Sequence, residues 1–301
     1  MGEEDQINMT EKPLVSVLMT AYNREKYISE AIESVLASSY DNFELIIVDD
    51  QSKDNTVVVA EKYAKVDPRI IIYINEINLG DYPNRNKAAS YAVGKYLKYV
   101  DADDKINTDC IEIMVKMMEE FPEAGYGICP AEKNPDKNFP YELTPVEAYT
   151  YQYFRNIGVF NRSPLCAIIN RKAFELVGGF INKRMVGDYE MWHKLSLHYS
   201  VVIIPQGLVW YRNHDEQEQN HLNLFLLDYL IIAEKKVLKS PLSNEQRQIV
   251  LNKLRRNMFM KLLKNPMDMS FKERWKFYLN SSINISKLLH NTDFFNLRSK
   301  I

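Results

Sequence analysis

Three carboxylates stand within four positions, at Asp101, Asp103 and Asp104, with Ala102 between the first two. Side chains so close repel one another, so the cluster calls for a compensating cation. Oxygen-only donors select a hard divalent ion, Mn2+ or Mg2+, which takes one or two carboxylates and completes its shell with water and substrate phosphates. A second acidic pair, Asp49-Asp50, closes the apolar run FELIIV. A carboxylate in that place can accept hydrogen bonds from a ribose hydroxyl or a base N–H. Asp50 is read as ligand-facing and Asp54 as the cap of the helix that follows. A third polar cluster, TAYN at 20–23, follows the run LVSVLM. Any one of these clusters alone could be a solvated turn; all three begin where an apolar run stops, which argues for one shared site. No GxGxxG follows the first run and no GxxxxGK[ST] occurs, so dinucleotide redox chemistry and P-loop hydrolysis lack their glycine-rich cradle. A phosphate site here must rest on a metal ion and on side chains.

The elements that would carry these residues alternate. Residues 14–19, 43–48, 70–74, 95–100 and 124–129 read as strands. Between them, residues 27–36 place Tyr27, Ile28, Ala31, Ile32, Val35 and Leu36 on one helical face, with Asn23 as the expected N-cap. Residues 55–64, 84–93 and 107–120 read as further helices. Strand and helix in alternation with short links imply a mostly parallel sheet covered on both faces, whose ligands bind beyond the carboxyl ends of its strands. After Pro130 the rhythm changes. Residues 131–160 read as loop with a short helix, 164–170 as a strand, 171–177 and 187–198 as helices, and 201–204 and 208–211 as strands. Helices follow over 222–238, 244–263 and 271–289, punctuated by Pro241 and Pro266.

The chain has 301 residues, 46% hydrophobic, 12% aromatic and 26% charged, which excludes dominant disorder and permits a sizeable core. A net charge of −2 gives no basic footprint for nucleic acid. Cys110, Cys129 and Cys166 are odd in number and form no CxxC pair, which points to a reducing compartment and away from a thiolate zinc site. The acidic start MGEEDQINMTEKP is not a signal peptide, and no apolar run is long enough to span a bilayer, so a cytoplasmic location is expected. One asymmetry remains: residues 244–301 hold 12 Lys and Arg against 4 Asp and Glu, so the tail is basic and the body acidic.

The stretch PLVSVLMTAYNREKYISEAIESVLASSYDNFELIIVDDQSKDNT resembles the nucleotide-binding start of glycosyltransferase family 2, as do NLGDYPNRNKAASYAVGKYLKYVDADD and VGDYEMWHKL. The likeness is dense over 13–104 and thinner to 214, about two thirds of the chain. It departs at Ser38-Ser39, where the family often has Asn-Gln, and at Gln51, where it often has Gly; neither position touches the chemistry. The resemblance implies a GT-A fold, a nucleotide-sugar donor, a divalent metal and inversion at the anomeric carbon. It implies that Thr20, Ala21 and Tyr22 line the nucleoside pocket, that Asp50 binds the base, and that Arg85 and Asn86 lie near the donor. Asp101 and Asp103 frame the family's DxD motif, Asp103 or Asp104 touches metal and diphosphate, and Asp188 matches the catalytic base. A histidine near His214 can reach the metal in related enzymes.

The chemistry can be stated from the residues as well. Expelling a nucleoside diphosphate needs charge stabilisation on the leaving group, which a metal held by Asp103 and Asp104 supplies. The incoming hydroxyl needs a base on the opposite side of the anomeric carbon. Asp188 opens its helix after Gly187, where the helix dipole favours the ionised form; Glu190 is the rival. Trp192 and Trp210 could stack on an acceptor sugar, although core packing is the plainer expectation. Leu254, Met258, Phe259, Leu262 and Leu263 form an apolar face flanked by basic residues, and Trp275, Phe277 and Tyr278 follow among more of them. That face could pack on the body, form a homodimer, or lie on anionic lipid at the inner face of the membrane.

The expected organisation is therefore a flexible N-terminus (1–12), a nucleotide-sugar-binding half (13–130), an acceptor-binding half (131–215) and a helical C-terminal extension (216–301). The expected activity is that of an inverting, metal-dependent hexosyltransferase using a UDP-sugar on a glycan or lipid-linked glycan of the cell envelope. A nucleotidyltransferase is the enzymatic alternative, but TAYNREK lacks its glycines. A non-catalytic nucleotide-sugar-binding module could dispense with Asp188.

Overall fold

The computed structural model describes residues 12–212 and 225–264. Its centre is an eight-stranded sheet in the order β3-β2-β1-β4-β8-β6-β9-β7. β1 (Val15–Ala21) lies between β2 (Phe43–Asp49) and β4 (Tyr96–Tyr99), parallel to both, and β3 (Ile70–Ile74) adds parallel to β2. Beyond β4, β8 (Ala167–Asn170) runs antiparallel and joins β6 (Tyr126–Ile128). β9 (Val201–Ile203) is parallel to β6, and β7 (Tyr141–Leu143) closes the far edge antiparallel to β9. A separate antiparallel pair joins β5 (Lys105–Ile106) to β10 (Val209–Trp210). The architecture is the GT-A fold expected from the sequence.

β1 and β2 read as continuous apolar runs because helices cover both faces of the sheet. α1 (Ile28–Leu36) buries Ile28, Ala31, Ile32 and Val35, the face anticipated from its periodicity. α2 (Thr56–Ala64) is capped from outside by Asp54, whose Oδ1 accepts from the Thr56 N–H at 3.0 Å. Asn23 is not the cap of α1. It sits at φ 53°, its Oδ1 accepts from the Lys53 N–H at 2.8 Å, and Tyr27 takes the N-cap place.

α3 (Asp81–Tyr91) begins earlier than the sequence suggests, with Pro83 in its first turn, where the missing N–H costs nothing. α4 (Cys110–Glu119) begins later: β5 ends at Ile106, and residues 107–109 form a turn in which the Asn107 N–H donates to Leu208 O and the Cys110 N–H to Asn107 O; the two residues of β5 are too few to leave a period. In the stretch expected as loop with a short helix, that helix is α5 (Pro145–Tyr153), opened by a Thr144–Glu147 capping box with Pro at its first position, and β7 just before it is the element not expected. The expected strand at 164–170 is a 3-10 turn followed by β8, and α6 (Arg171–Leu176) and α7 (Gly187–Leu195) follow.

α8 (Leu226–Lys239) and α9 (Asn244–Lys264) pack onto the body, and Ile232, Ala233, Val237, Val250 and Leu251 join its core. No helix among the described residues is long and apolar enough to cross a membrane. The helix expected over 271–289, with its aromatic residues, lies outside the described residues. Trp192 is core, stacked on Tyr126 at 5.4 Å. Trp210 is not: it is 44% exposed, under Lys105 and Arg212.

The β1–β4 pairing depends on a close backbone approach at Gly94. Its N–H donates to Ser16 Oγ at 2.9 Å, and a Cβ there would lie 2.7 Å from Leu14 O and Ser16 N. Because these are backbone atoms, they cannot swing aside. Gly94→Ala should destabilise the fold by about 1–3 kcal/mol, read as a lower urea midpoint with unchanged m-value.

Candidate active site

β1 has β2 on one side and β4 on the other, so the chain order reverses at this point and a crevice opens beyond the strand ends. In register, Ala21 faces Asp49 and Leu18 faces Tyr99, which brings 20–22, 49–50 and 101–104 to one edge. A cavity of about 1600 Å3 lies there. Thr20, Ala21, Tyr22, Asp50, Arg85, Asp101, Asp103 and Asp104 all line it, and so does Asp188 from the other half of the chain.

The acidic loop is held by arginines. Arg85 Nη1 donates to Asp101 Oδ1 at 2.6 Å and Arg85 Nε to Asp81 Oδ1 at 2.8 Å. Burial opposes the Arg85 charge, but Asp101 and Asp81 outweigh it and hold the guanidinium well above its ordinary value. Thr20 Oγ1 stands 3.5 Å from Asp101 Oδ1. Arg24 Nε donates to Asp103 Oδ2 at 2.8 Å. Arg212 donates its backbone N–H to Asp104 Oδ1 at 2.9 Å and its Nε to the Asp103 carbonyl at 3.0 Å. Asp104 is buried, and that burial, reinforced by Asp101 and Asp103, pushes its carboxyl up to about 7.

No three His, Cys, Asp or Glu side chains converge as a ready metal cage among the described residues. A hard cation shared with a diphosphate needs only one or two. Adjacent Asp103 and Asp104 both line the cavity, and the Asp104 carboxyl, raised by burial and then by its acidic neighbours, fits that demand. His214 lies outside the described residues.

Asp50 is more deeply committed than expected. Its Oδ1 accepts from the Leu79 N–H and from Asn75 Nδ2, and its Oδ2 from the Gly80 N–H, each at 2.8 Å. The carboxylate therefore shapes the turn into α3 while it lines the cavity. Asn86 is turned away: its Nδ2 donates to Phe180 O and its Oδ1 accepts from the Phe180 N–H, both at 2.8 Å, and it does not line the cavity. Asn84, two positions earlier, does line it, and donates to Val48 O at 3.2 Å. Sequence reasoning also passed over Arg24 and Arg212. Arg24 stands in the quoted TAYNREK and Arg212 two residues before His214, but their acidic partners are far away in sequence.

Asp188 stands in the first turn of α7. The helix comes very close to α3 here, since a Cβ on Gly187 would meet the Tyr82 ring at 2.7 Å. Burial pushes the Asp188 carboxyl up to about 6, against the Tyr189 N–H and the Tyr82 hydroxyl, with Asp81 adding to the rise. Its rival Glu190 is buried, ion-paired to Lys236 and 3.3 Å from Lys194, and does not line the cavity.

Residues 16–178 match the family described as Glycosyl transferase family 2. The chain belongs to that family. Among its relatives is the putative teichuronic acid biosynthesis glycosyltransferase TuaG of Bacillus subtilis, 39% identical over 144 residues, which are 46% of this chain and 56% of TuaG. An uncharacterized glycosyltransferase of Haemophilus influenzae is 29% identical over 226 residues, 70% of this chain and 69% of that protein. The match thus spans little more than half of TuaG. TarS of S. aureus, solved in complex with UDP-GlcNAc, shares the fold at a TM-score of 0.67 and 19% identity, covering 86% of this chain and 77% of its own. The mannosyltransferase PcManGT of Pyrobaculum calidifontis, in complex with GDP-Man and Mn2+, gives 0.63 at 18% identity, over 96% of this chain and 81% of its own.

Asp50→Asn replaces one acceptor oxygen by an N–H donor opposite N–H groups. It should cost about 1–3 kcal/mol of stability, checked by thermal unfolding.

Proposed function

We propose that this chain is an inverting, metal-dependent glycosyltransferase that moves a sugar from a nucleotide-sugar, of which UDP-sugars are the first candidates, to a hydroxyl of a glycan or lipid-linked glycan. One observation carries the reading: the acidic strand-end loop and Asp188, far apart in sequence, line a single cavity at the reversal point of the sheet. Similarity to TuaG and the UDP-GlcNAc complex of TarS support a UDP-sugar donor and a cell-envelope acceptor.

In this reading Thr20, Ala21, Tyr22 and Asp50 receive the nucleoside, and Arg85 and Asp101 lie beside the sugar-diphosphate. Asp103 and Asp104 would hold Mn2+ or Mg2+, which when bound supplies positive charge for the leaving diphosphate. Asp188 takes the proton from the acceptor hydroxyl. That oxygen forms its bond to the anomeric carbon as the bond to the diphosphate oxygen breaks, and the nucleoside diphosphate leaves with the electron pair. Attack and departure on opposite faces invert the centre. We assign 13–130 to donor binding and 131–215 to acceptor binding; of the helical extension, Leu226, Leu230, Leu254 and Met258 line the same cavity.

A base must be ionised to accept the proton. With its carboxyl raised to about 6, activity should rise through about pH 6 and level off above it. Asp188→Asn should abolish this limb and lower turnover by about 100-fold or more while UDP binding persists; near-normal turnover in that variant rejects the assignment. UDP-sugars with Mn2+ should also raise the melting temperature more than either alone. That increment should vanish with EDTA and in Asp104→Asn, and a panel that includes GDP-mannose separates the nucleotide classes.

A further inference from the structure

α8 lies across the turn that carries Asp188 and grips it on both sides. The Tyr229 hydroxyl donates to the carbonyl of Met185 at 2.5 Å, three residues ahead of Asp188. Met185 stands at φ 66°, a left-handed conformation that a residue with a Cβ keeps only when its surroundings hold it there. The Tyr229 ring meets Tyr189, the residue after Asp188, edge-on, with centroids 5.1 Å apart. Ion pairs brace the same junction: Lys183 with Asp228 at 2.6 Å before the turn, and Lys236 with Glu190 after it.

We propose that Tyr229 is a positioning residue for Asp188: its hydroxyl, anchored on α8, holds the Met185 carbonyl and so fixes the turn that presents the carboxylate to the cavity. The proposal rests on the reading of Asp188 as the base. Burial and the Asp188 charge both push the Tyr229 hydroxyl up, so it stays protonated and keeps donating. Packing alone does not need this hydroxyl, because the contact with Tyr189 is made by the ring. The groups facing Asp188 are Asp81, Tyr82 and Arg85 on α3, Tyr189 on its own helix and Tyr229 on α8. Tyr229→Phe leaves every one of the other four in place.

The test follows the Asp188 titration by carboxylate 13C NMR, assigned by difference from Asp188→Asn, together with UDP affinity in Mn2+ by calorimetry. In Tyr229→Phe the midpoint should fall from about 6 towards the ordinary aspartate range near about 4, as the loosened turn admits water. UDP affinity should stay within about twofold, and donor turnover should drop by about tenfold or more. Lys236→Met, which releases the brace on the other side, should move the midpoint the same way. Arg255→Gln, which breaks only the pair with Glu234 inside the extension, should not move it. A midpoint still near 6 in Tyr229→Phe overturns the proposal, and so does a fall matched by equal loss of UDP affinity, which would mark general loosening. Wild-type turnover in Asp188→Asn would instead remove Asp188 as base and leave the midpoint comparison standing.

Discussion

The site depends on how three carboxylates between Asp101 and Asp104 are kept together at the end of one short strand. Two unit charges about 4 Å apart repel by about 4 kcal/mol at an effective dielectric of about 20, so an uncompensated cluster would push the loop open. Each acid has its own remedy. Asp101 is paired by Arg85, Asp103 by Arg24, and Asp104 receives the Arg212 N–H while its raised carboxyl gives up charge near neutrality. The three arginines come from α3, from the loop after β1 and from the chain after β10, so compensation is also what draws these segments around the cavity.

In the proposed function this loop takes a cation. A positive ion beside Asp104 would reverse the balance that raises its carboxyl, since a nearby opposite charge favours the ionised form. Burial is the largest cause of the rise at Asp188 as it is at Asp104, but the acidic neighbour of Asp188, Asp81, is itself paired with Arg85. In the proposed reaction, a cation held by Asp103 and Asp104 would favour the charged Asp104 carboxylate, while Asp188 stays near the neutral range, where a base can both take up and release a proton.

Much of this is legible in the sequence. The parallel strands announced themselves because strands buried on both faces are uninterrupted apolar runs, and their ends because polarity changes abruptly at Thr20, Asp49 and Asp101. The family's order of motifs added Asp188, which shares the cavity despite its distance along the chain. What stayed hidden depends on direction or on partners. Asn84 and Asn86 lie on one helix two residues apart, and only its orientation against the sheet decides which faces the cavity. Gly80 and Pro83 moved the start of α3, while β5 was too short to show a period. Arg24 and Arg212 look like ordinary surface charges because their partners are far off in sequence: the Asp103 carboxylate 79 positions from Arg24, and the Asp104 carboxylate and Asp103 carbonyl 108 and 109 positions from Arg212.

The helical extension shows the same limit most clearly. Its sequence displays an apolar face and a basic surplus, features that fit a membrane surface, a second subunit or the body of the protein equally well. Within the described residues, Leu254 and Met258 of that face turn inward and line the cavity. Tyr229, Asp228 and Lys236 all face the segment on either side of Asp188, and Leu230, Leu254 and Met258 close the cavity beside it. An extension held only by apolar burial could slide along the body at little cost, because hydrophobic contact has no direction. Hydrogen bonds and ion pairs do have direction, and here they converge on one turn. The extension is thereby fixed in register with the carboxylate that the rest of the cavity faces.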